Sequence, residues 1–224
     1  MTASLCGSRF GRGLVRPAGV RFDVEDDLAR DLKSRLAVAM KDIAQAVGLL
    51  WDSPSVMARF EGMGTVSRDL ALELGLVGPS ARACGVEHDV RADFPLGHYF
   101  FSQVPVSTWD TGDVLARAYV RWLEIQRSAD LVGTTLARLP AGHVRAELRP
   151  IGPRRIAVAL VEGWRGAICH IATTGFDGRI DHYKIVDPSF HNWIGLAMAL
   201  RNNPISEFPL CNKSFNLSYC GHDL

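Results

Sequence analysis

The chain has 224 residues, of which 47% are hydrophobic and 22% are charged, and its formal net charge is +1. This size and balance are typical of one soluble globular domain, and they lack the basic excess of a nucleic-acid-binding protein. No apolar run reaches the roughly 18 residues of a membrane-spanning helix, so we expect any membrane association to come through partner proteins.

The first 22 residues combine four arginines with several glycines and contain no acid. Because the glycines interrupt any amphipathic helix, we interpret this stretch as a structured glycine-rich loop that approaches another segment closely, and not as a targeting peptide. Apolar residues then recur at helical spacing from Asp23 to Val47, which predicts a long helix. Two shorter helices are predicted at 54–61, with Ser53 as cap, and at 67–74.

Residues 75–101 are predicted to form a long loop that is rich in arginine, histidine and acidic residues. Loops of this length are usually functional. Arg82, Asp89 and Arg91 are therefore candidate residues of a cleft or interface. The alternative is a structural loop in which Asp89 forms salt bridges with the two arginines.

Gly112 to Leu139 has an apolar stripe that alternates steps of three and four residues, which predicts a helix packed in a bundle. The composition then changes. Apolar runs and turn residues predict three antiparallel strands between Arg154 and Val186, the first of them buried. A short helix is expected at 192–201. The sequence after it ends in a tail, residues 208–224, whose aromatic and leucine side chains predict packing into a core.

This order of helices followed by a small sheet predicts an α+β fold. We expect one domain over residues 1–224, with a helical bundle at 23–140 and a β meander with the tail at 154–224.

The first turn of the predicted meander carries the candidate catalytic residues. Arg165 lies between the end of a strand at Glu162 and its restart at Gly166, and His170 follows on the next strand. Glu162 and His170 could hold Arg165 in a cleft or relay protons. The alternative is an ordinary surface arginine in a hairpin.

Five cysteines are present: Cys6, Cys84, Cys169, Cys211 and Cys220. An odd number without a secretory signal favours free thiols in a reducing, cytoplasmic compartment. Zinc and nickel sites typically use cysteines two residues apart, and this chain has no such pair. The possible half-sites are Cys84 with His88, Cys169 with His170, and Cys220 with His222. We therefore predict no metal in this chain.

Several short motifs occur together in one order along the chain. The groups, in sequence order, are Arg9-Phe-Gly-Arg-Gly; Gly78-Pro79, Arg82, Gly85, Asp89 and Arg91; Gly112-Asp113, Arg117, Arg121 and Glu124; Glu162 with Arg165-Gly; and Asp187-Pro-Ser-Phe with Asn192. This order resembles the large subunit of energy-converting nickel–iron hydrogenases of the formate-hydrogenlyase type. It also resembles their relative, the hydrogenase-derived subunit of complex I (NADH:quinone oxidoreductase). The resemblance covers nearly the whole chain and corresponds to the C-terminal part of the family.

The resemblance implies how a metal centre would be held. In hydrogenases of this family two Cys-x-x-Cys pairs hold nickel and iron, one pair near each end of the protein. Here the C-terminal pair falls on Ser218 and Gly221, Cys220 is out of register, and the N-terminal pair is absent. A serine hydroxyl is a poor nickel ligand and glycine offers none. The resemblance thus predicts a chain without the nickel–iron centre, in which Arg165 matches the arginine that overhangs that centre.

The resemblance also implies partners and a function. It implies an iron–sulfur small subunit, which would carry the cluster, and antiporter-like subunits of a membrane arm. The chain would lie peripherally on the inner face of the membrane and pass electrons toward a quinone-like acceptor. The alternatives are a true nickel–iron hydrogenase (formate hydrogenlyase) large subunit and a non-catalytic assembly subunit. Nucleic acid is not an expected partner.

Overall fold

The two long helices form where hydrophobic spacing predicts them. In the computed structural model, which describes residues 1–222, α2 spans Asp26–Trp51 and α7 spans Val114–Leu136. Asp26 and Asp27 lie in the first turn of α2, where carboxylates interact favourably with the helix dipole. Helix α2 continues four residues beyond the predicted end, through Gly48, because a single glycine weakens a helix by only about 1 kcal/mol and does not have to end it.

The chain divides into two compact units. One comprises Met1–Leu49 and Gln126–Ile151, and the other comprises Leu50–Ile125 and the chain from Gly152 onward. The single domain expected over residues 1–224 stays a prediction. Within the described residues, no helix is long and apolar enough to cross a lipid bilayer.

The N-terminal stretch is more regular than a loop. It forms helix α1 (Thr2–Cys6) and a hairpin of strands β1 (Val15–Arg16) and β2 (Gly19–Val20). The predicted close approach is present, because a Cβ on Gly19 would lie 2.2 Å from the carbonyl oxygen of Val144. Only glycine permits this backbone contact, in which the Val20 amide donates to the same carbonyl at 3.0 Å.

The predicted loop at 75–101 contains three short helical segments. These are α5 (Gly78–Arg82), α6 (Val90–Asp93) and a 3-10 turn (Gly97–Phe100). The prediction of a loop without regular structure was therefore wrong. Segments of four or five residues are too short to show helical periodicity, and their capping residues are the only local signal. The two preceding helices, α3 (Pro54–Phe60) and α4 (Arg68–Glu73), agree with the prediction.

A three-stranded antiparallel sheet follows, in the order β3-β4-β5. The strands are β3 (Ile156–Gly163), β4 (Gly166–Thr174) and β5 (Ile180–Val186). The prediction that the first strand is buried was wrong, since Ile156 and Val158 are 69% and 60% exposed. Helices α5 and α6 contact the sheet near the β3–β4 turn, where Gly78 approaches Gly166 and the Val90 amide donates to Glu162, whereas Ile156 and Val158 lie at the other end of β3.

The chain ends in three further helices, α8 (Pro188–Ala199), α9 (Phe208–Phe215) and α10 (Tyr219–His222). Helix α8 begins four residues before the predicted start, because the Asp187 carboxylate caps it by accepting from the Ser189 amide at 2.8 Å. The tail packs into the main core through Cys211, Phe215 and Leu217, as predicted, although Phe208 and Tyr219 remain exposed. Its last two residues, 223 and 224, lie outside the described residues. The α+β fold class is confirmed.

Candidate functional site

Arg82, at the end of α5, is the centre of a buried ionic network. Its side chain is 1% exposed, although it is a residue type that is rarely buried without a partner. Nη1 donates to Glu162 Oε1 at 2.9 Å and to the His88 carbonyl at 3.1 Å, and lies 3.3 Å from Asp89 Oδ2. The candidate residues Arg82 and Glu162, 80 positions apart, are thus in direct contact.

Asp89 connects this network to a second arginine. Its carboxylate accepts two bonds from Arg91, at 2.9 Å from Nε and at 2.6 Å from Nη2. It also caps α6, because Oδ1 accepts from the Arg91 amide at 2.9 Å. Arg91 Nη2 reaches Glu124 of α7 at 2.7 Å. The salt bridges of the alternative interpretation are therefore present, and they extend to a helix that sequence reasoning did not connect to this loop. The cleft or interface role of Arg82, Asp89 and Arg91 stays a prediction.

The two buried carboxylates have opposite pKa shifts. Burial alone would raise the pKa of Asp89, but the hydrogen bonds from Arg91 and the charge of Arg82 outweigh it and lower that pKa. Burial also raises the pKa of Glu162, and there the Arg82 contact only partly offsets it. Glu162 is therefore the member of this pair that holds a proton more readily than an ordinary glutamate.

A cavity of about 410 Å³ opens beside the network. Glu162 and Asp89 contribute polar wall, and His88 and Asp93 lie 3.3 Å apart among its lining residues. The remaining wall is mainly apolar and is formed by Leu72, Leu76, Val77, Val86, Val90, Phe94 and Leu160. A cavity of this size with a few polar groups has the dimensions of a small-molecule site.

Arg165 lies on the β3–β4 turn and contacts the C-terminal tail. Register pairs Gly163 with Gly166, so Trp164 and Arg165 form a two-residue turn. The half-buried Arg165 donates through Nε to the carbonyl of Asn216, between α9 and α10. Arg165 is thus held against the tail and does not project freely into solvent. It makes no described hydrogen bond to Glu162 or His170.

Two further arginines lie near the tail, on one face of α7. Arg117 is fully buried and donates to neutral oxygens: the carbonyls of Gly112 and Gly64 and the Ser214 hydroxyl, at 2.8–2.9 Å. Arg121 donates to the Arg117 and Phe215 carbonyls at 2.9 and 3.0 Å. Burial lowers the pKa of each guanidinium to about 10.

Arg117, Arg121 and Arg165 form a positive region. In the described part of the chain their hydrogen bonds go to neutral oxygens, although the charge of Asp113 also acts on Arg117. Besides burial, the charges of Arg117, Arg165 and Arg82 all lower the pKa of Arg121. Within the described residues, Arg121 Nε is buried without a hydrogen-bond partner. An anion near this region would be stabilised, because a buried positive field is weakly screened by solvent.

His170 lies on the opposite face of the sheet from Glu162. Glu162 is paired with Ala167 on β4, three positions before His170, and side chains alternate between faces. His170 Nδ1 instead lies 2.6 Å from the Tyr183 hydroxyl. The structure therefore groups Glu162 with Arg82, Asp89 and Arg91, and separates both Arg165 and His170 from that group.

Ser218 and Gly221, where the family resemblance would place metal-binding cysteines, make other contacts. Ser218 Oγ accepts from the Gly221 amide at 2.9 Å, and the Ser218 amide donates to Ser189 Oγ at 2.9 Å. A Cβ on Gly221 would lie 2.5 Å from Asp187 Oδ2, so any side chain there would displace this carboxylate. Cys220 is exposed. These residues lack the paired thiolates of a nickel–iron centre and do not fit it.

Sequence reasoning did not assign site roles to Arg117, Arg121 and Glu124. Their spacing of four and then three residues places all three on one face of α7. Charged residues recurring at helical spacing within the apolar stripe of a bundle helix were the available signal. Three charges on a buried helix face indicate partners from other elements.

The chain resembles known proteins over most of its length. Residues 1–157 match the family of the 49 kDa subunit of respiratory-chain NADH dehydrogenase. Formate hydrogenlyase subunit 5 of Escherichia coli is 29% identical over 98% of this chain and 38% of its own length. The carbon monoxide-induced hydrogenase of Rhodospirillum rubrum is 30% identical over 94% of this chain and 58% of its own length.

Subunit 4 of the NADH-quinone oxidoreductase of Thermus thermophilus is 31% identical over 83% of this chain and 42% of its own length. A chain of the membrane-bound sulfane sulfur reductase, an archaeal respiratory membrane complex, has the same fold, with a TM-score of 0.86 and 24% identity. That match covers 93% of this chain and 58% of the other. The chain thus spans about half the length of the proteins it resembles.

Proposed function

Because the chain belongs to the family of the 49 kDa subunit of respiratory-chain NADH dehydrogenase, we propose that it is a nickel-free, hydrogenase-like large subunit of an oxidoreductase complex. In this proposal it takes part in electron transfer from an iron–sulfur small subunit toward a quinone-like acceptor. Antiporter-like subunits of a membrane arm are its other partners. They hold it peripherally at the cytoplasmic face of the membrane, in keeping with a relative named as a subunit of NADH-quinone oxidoreductase and a chain of the same fold in an archaeal respiratory membrane complex.

The geometry at Gly221 is the observation that carries the nickel-free part of the proposal. The Asp187 carboxylate occupies the space that a side chain at position 221 would need. The same carboxylate caps α8, so moving it would also leave the start of that helix without its cap. This arrangement supports a family member whose tail serves a structural role where a hydrogenase would bind metal.

The positive region around Arg165 supports a role in electron transfer. Reduction of a quinone-like acceptor adds negative charge, which Arg165 and Arg121 would stabilise by charge-assisted hydrogen bonds in a weakly solvated site. Burial raises the pKa of Glu162, so it holds a proton more readily than an ordinary glutamate, and we assign proton handling to it. His170, paired with Tyr183 on the other face of the sheet, is a second proton-handling residue in this proposal.

The proposal is tested on the complex purified from its native cell through a tag on this chain. Nickel is measured by elemental analysis, and reduction of a short-chain ubiquinone is followed with dithionite-reduced methyl viologen as electron donor. We expect quinone reduction without stoichiometric nickel. Stoichiometric nickel that is lost in Cys220→Ser would instead identify a true hydrogenase subunit. A complex that requires the chain for assembly but transfers no electrons would identify an assembly subunit.

A further inference from the structure

The composition of β3 does not match its position at the edge of the sheet. Residues 156–161 read Ile-Ala-Val-Ala-Leu-Val, an uninterrupted apolar run without a charge. Such runs are typical of strands covered on both faces inside a sheet, whereas half-exposed strands alternate apolar and polar residues. Yet β3 pairs only with β4, and Ile156 through Ala159 are all exposed.

The other edge of the same sheet is built differently. Strand β5 carries Asp181, His182 and Lys184, all exposed. Charged side chains along an edge strand are a common protection against pairing with another chain. Since β5 has this protection and the apolar stretch of β3 lacks it, the two edges of the sheet are not equivalent.

Only part of β3 is held by the rest of the chain. The Glu162 end is fixed, because Glu162 binds Arg82 and also accepts from the Val90 amide at 3.2 Å. The four residues from Ile156 to Ala159 lie beyond this attachment, and within the described chain their only strand partner is β4. Backbone groups on the outer edge of this stretch are therefore available for a further ladder.

We propose that an extended apolar segment of a partner polypeptide adds to the free edge of β3 at Ile156–Ala159 and converts β3 into an interior strand. The added strand would hydrogen-bond to the outward-facing backbone groups, and the partner would cover the apolar side chains on the sheet faces. Two observations select a polypeptide over other occupants. The free edge offers backbone amides and carbonyls at strand spacing, which another strand can pair as a set, and both faces of this stretch carry uncharged side chains.

The first test measures residue-resolved hydrogen exchange in the purified complex. Outward-facing amides of β3 at 156–159 are expected to exchange about a hundredfold more slowly than those of the charged edge β5, because only the former are paired. Equal, rapid exchange at both edges would overturn the proposal. If the tagged chain purifies without any other polypeptide, the proposed function itself fails, and this outcome is distinct from a complex with an unprotected β3.

The second test uses a matched pair of variants. Val158→Asp places a charge on the free edge of β3. Ile180→Asp places a charge on β5 at a position of similar exposure, since Ile180 is 56% exposed and Val158 is 60% exposed. We expect Val158→Asp to lower the fraction of chain in the complex about tenfold and Ile180→Asp to leave it unchanged. Equal effects would overturn the proposal. The hydrogen-exchange measurement needs no variant, so it tests whether a partner strand pairs with β3 even if Val158→Asp does not fold.

Native mass spectrometry of the complex identifies the occupant. One copy of this chain, together with protection of β3, supports a strand from a different polypeptide. Two copies, with cross-links between β3 of one and β3 of the other, would overturn the proposal in favour of self-pairing.

Discussion

The Asp89 carboxylate combines a structural and an electrostatic role. It caps α6 and also lies between Arg82 and Arg91, both of which are buried. Replacing it by a neutral amide would leave two buried guanidinium groups with less compensating charge. The loss of one partner from a buried ionic network is strongly destabilising, because the remaining charge stays desolvated.

We therefore predict that Asp89→Asn lowers the free energy of unfolding by about 3–5 kcal/mol at pH 7. Because folding lowers the pKa of Asp89, its contribution is present above the unfolded value of about 3.9 and is lost as the pH falls through the folded value. The difference from wild type should thus shrink below about pH 4. Urea unfolding of both proteins at low protein concentration, from pH 7 to below about pH 4, measures this difference in the free energy of unfolding. Asp181→Asn, on an exposed carboxylate, is the control and should change little.

Glu162→Gln should show the opposite pH trend. Folding raises the pKa of Glu162, so its contribution is present below the unfolded value of about 4.3 and is lost as the pH rises through the folded value. The same unfolding series should find that the advantage of wild type over Glu162→Gln declines with rising pH. A growing advantage would show that the pair with Arg82 outweighs burial and would contradict the raised pKa.

Arg165 carries the prediction that concerns turnover. In the assembled complex, Arg165→Ala should lower quinone reduction roughly ten- to a hundredfold, because a positive donor near developing negative charge is lost. The turnover of Arg165→Lys should lie between those of wild type and Arg165→Ala, because lysine keeps the positive charge but lacks the planar guanidinium group. The control is Arg179→Ala, whose side chain is 89% exposed at the other turn of the sheet. Unchanged turnover of a correctly assembled Arg165→Ala complex would identify Arg165 as a structural hairpin residue.

At the residue scale, local spacing suggested part of the network, as the alternative to a cleft or interface. Arg82, Asp89 and Arg91 lie within ten positions of one another, and the alternation of charge indicated their salt bridges. Their partners Glu124 and Glu162 come from a distant helix and a strand, and no local pattern encodes that contact. The position of Arg165 against the Asn216 carbonyl was likewise unpredictable, because it depends on how the tail packs.

At the scale of elements, the contact between α5 and the β3–β4 turn fixes where Arg165 lies. Gly78 opens α5 with a φ of +65°, and a Cβ there would lie 2.4 Å from the Arg165 carbonyl oxygen. The Asn192 side chain bridges the same two segments, donating to the carbonyls of Val77 and Arg165 at 3.1 and 3.3 Å. Backbone thus packs directly against backbone beneath the turn.

Gly78→Ala should therefore destabilise the chain by about 2 kcal/mol more than Gly75→Ala. Gly75 has the same φ of +65°, but nothing lies within 4 Å of its Cβ position. Both variants carry the penalty of placing alanine in a left-handed backbone conformation, about 1–2 kcal/mol. They differ in that only the Gly78→Ala methyl group meets neighbouring backbone. Chemical unfolding of both variants measures the difference. Equal losses would mean that the turn yields to the added methyl group.

The elements also show which sequence signals suffice. Apolar periodicity over more than 20 residues predicted α2 and α7. It could not reveal α5 and α6, whose five and four residues complete little more than one turn. The start of α8 was placed at residue 192, four residues too late, although an acid before proline, here Asp187-Pro188, is a typical helix start.

At the scale of the whole molecule, exposed apolar surface indicates a need for partners. Besides β3, the exposed side chains include Phe94, Leu96, Phe100, Phe101, Phe176 and Ile205. Single exposed apolar residues are normal, but apolar residues grouped closely, as Phe94, Leu96, Phe100 and Phe101 are along the chain, are typical of interaction surfaces. The sequence predicted β3 as buried from its composition, but burial depends on what covers a strand, which a single chain does not determine.

The isolated chain should consequently self-associate and bind a hydrophobic dye. We expect anilinonaphthalene sulfonate fluorescence to rise with the isolated chain and to be weaker, per chain, with the assembled complex. Light scattering coupled to gel filtration should show species larger than a monomer for the isolated chain. A monodisperse monomer without dye binding would contradict the need for a partner.

The two turns of the sheet differ in how much change they can accept. The Gly163–Gly166 turn packs against α5 so closely that a Cβ added to Gly166 would lie 2.9 Å from the Gly78 amide nitrogen. In the turn at Gly175–Gly178, Phe176 and Asp177 are exposed, and the atoms nearest a Cβ on Gly175 belong to Asp177 and Asp181 of the same hairpin. An epitope inserted between Asp177 and Gly178 would therefore lengthen a loop at small entropic cost, about 0.6 kcal/mol per doubling. The same epitope between Trp164 and Arg165 would separate α5 from the sheet, so protein engineers have one usable turn and one forbidden turn in the same meander.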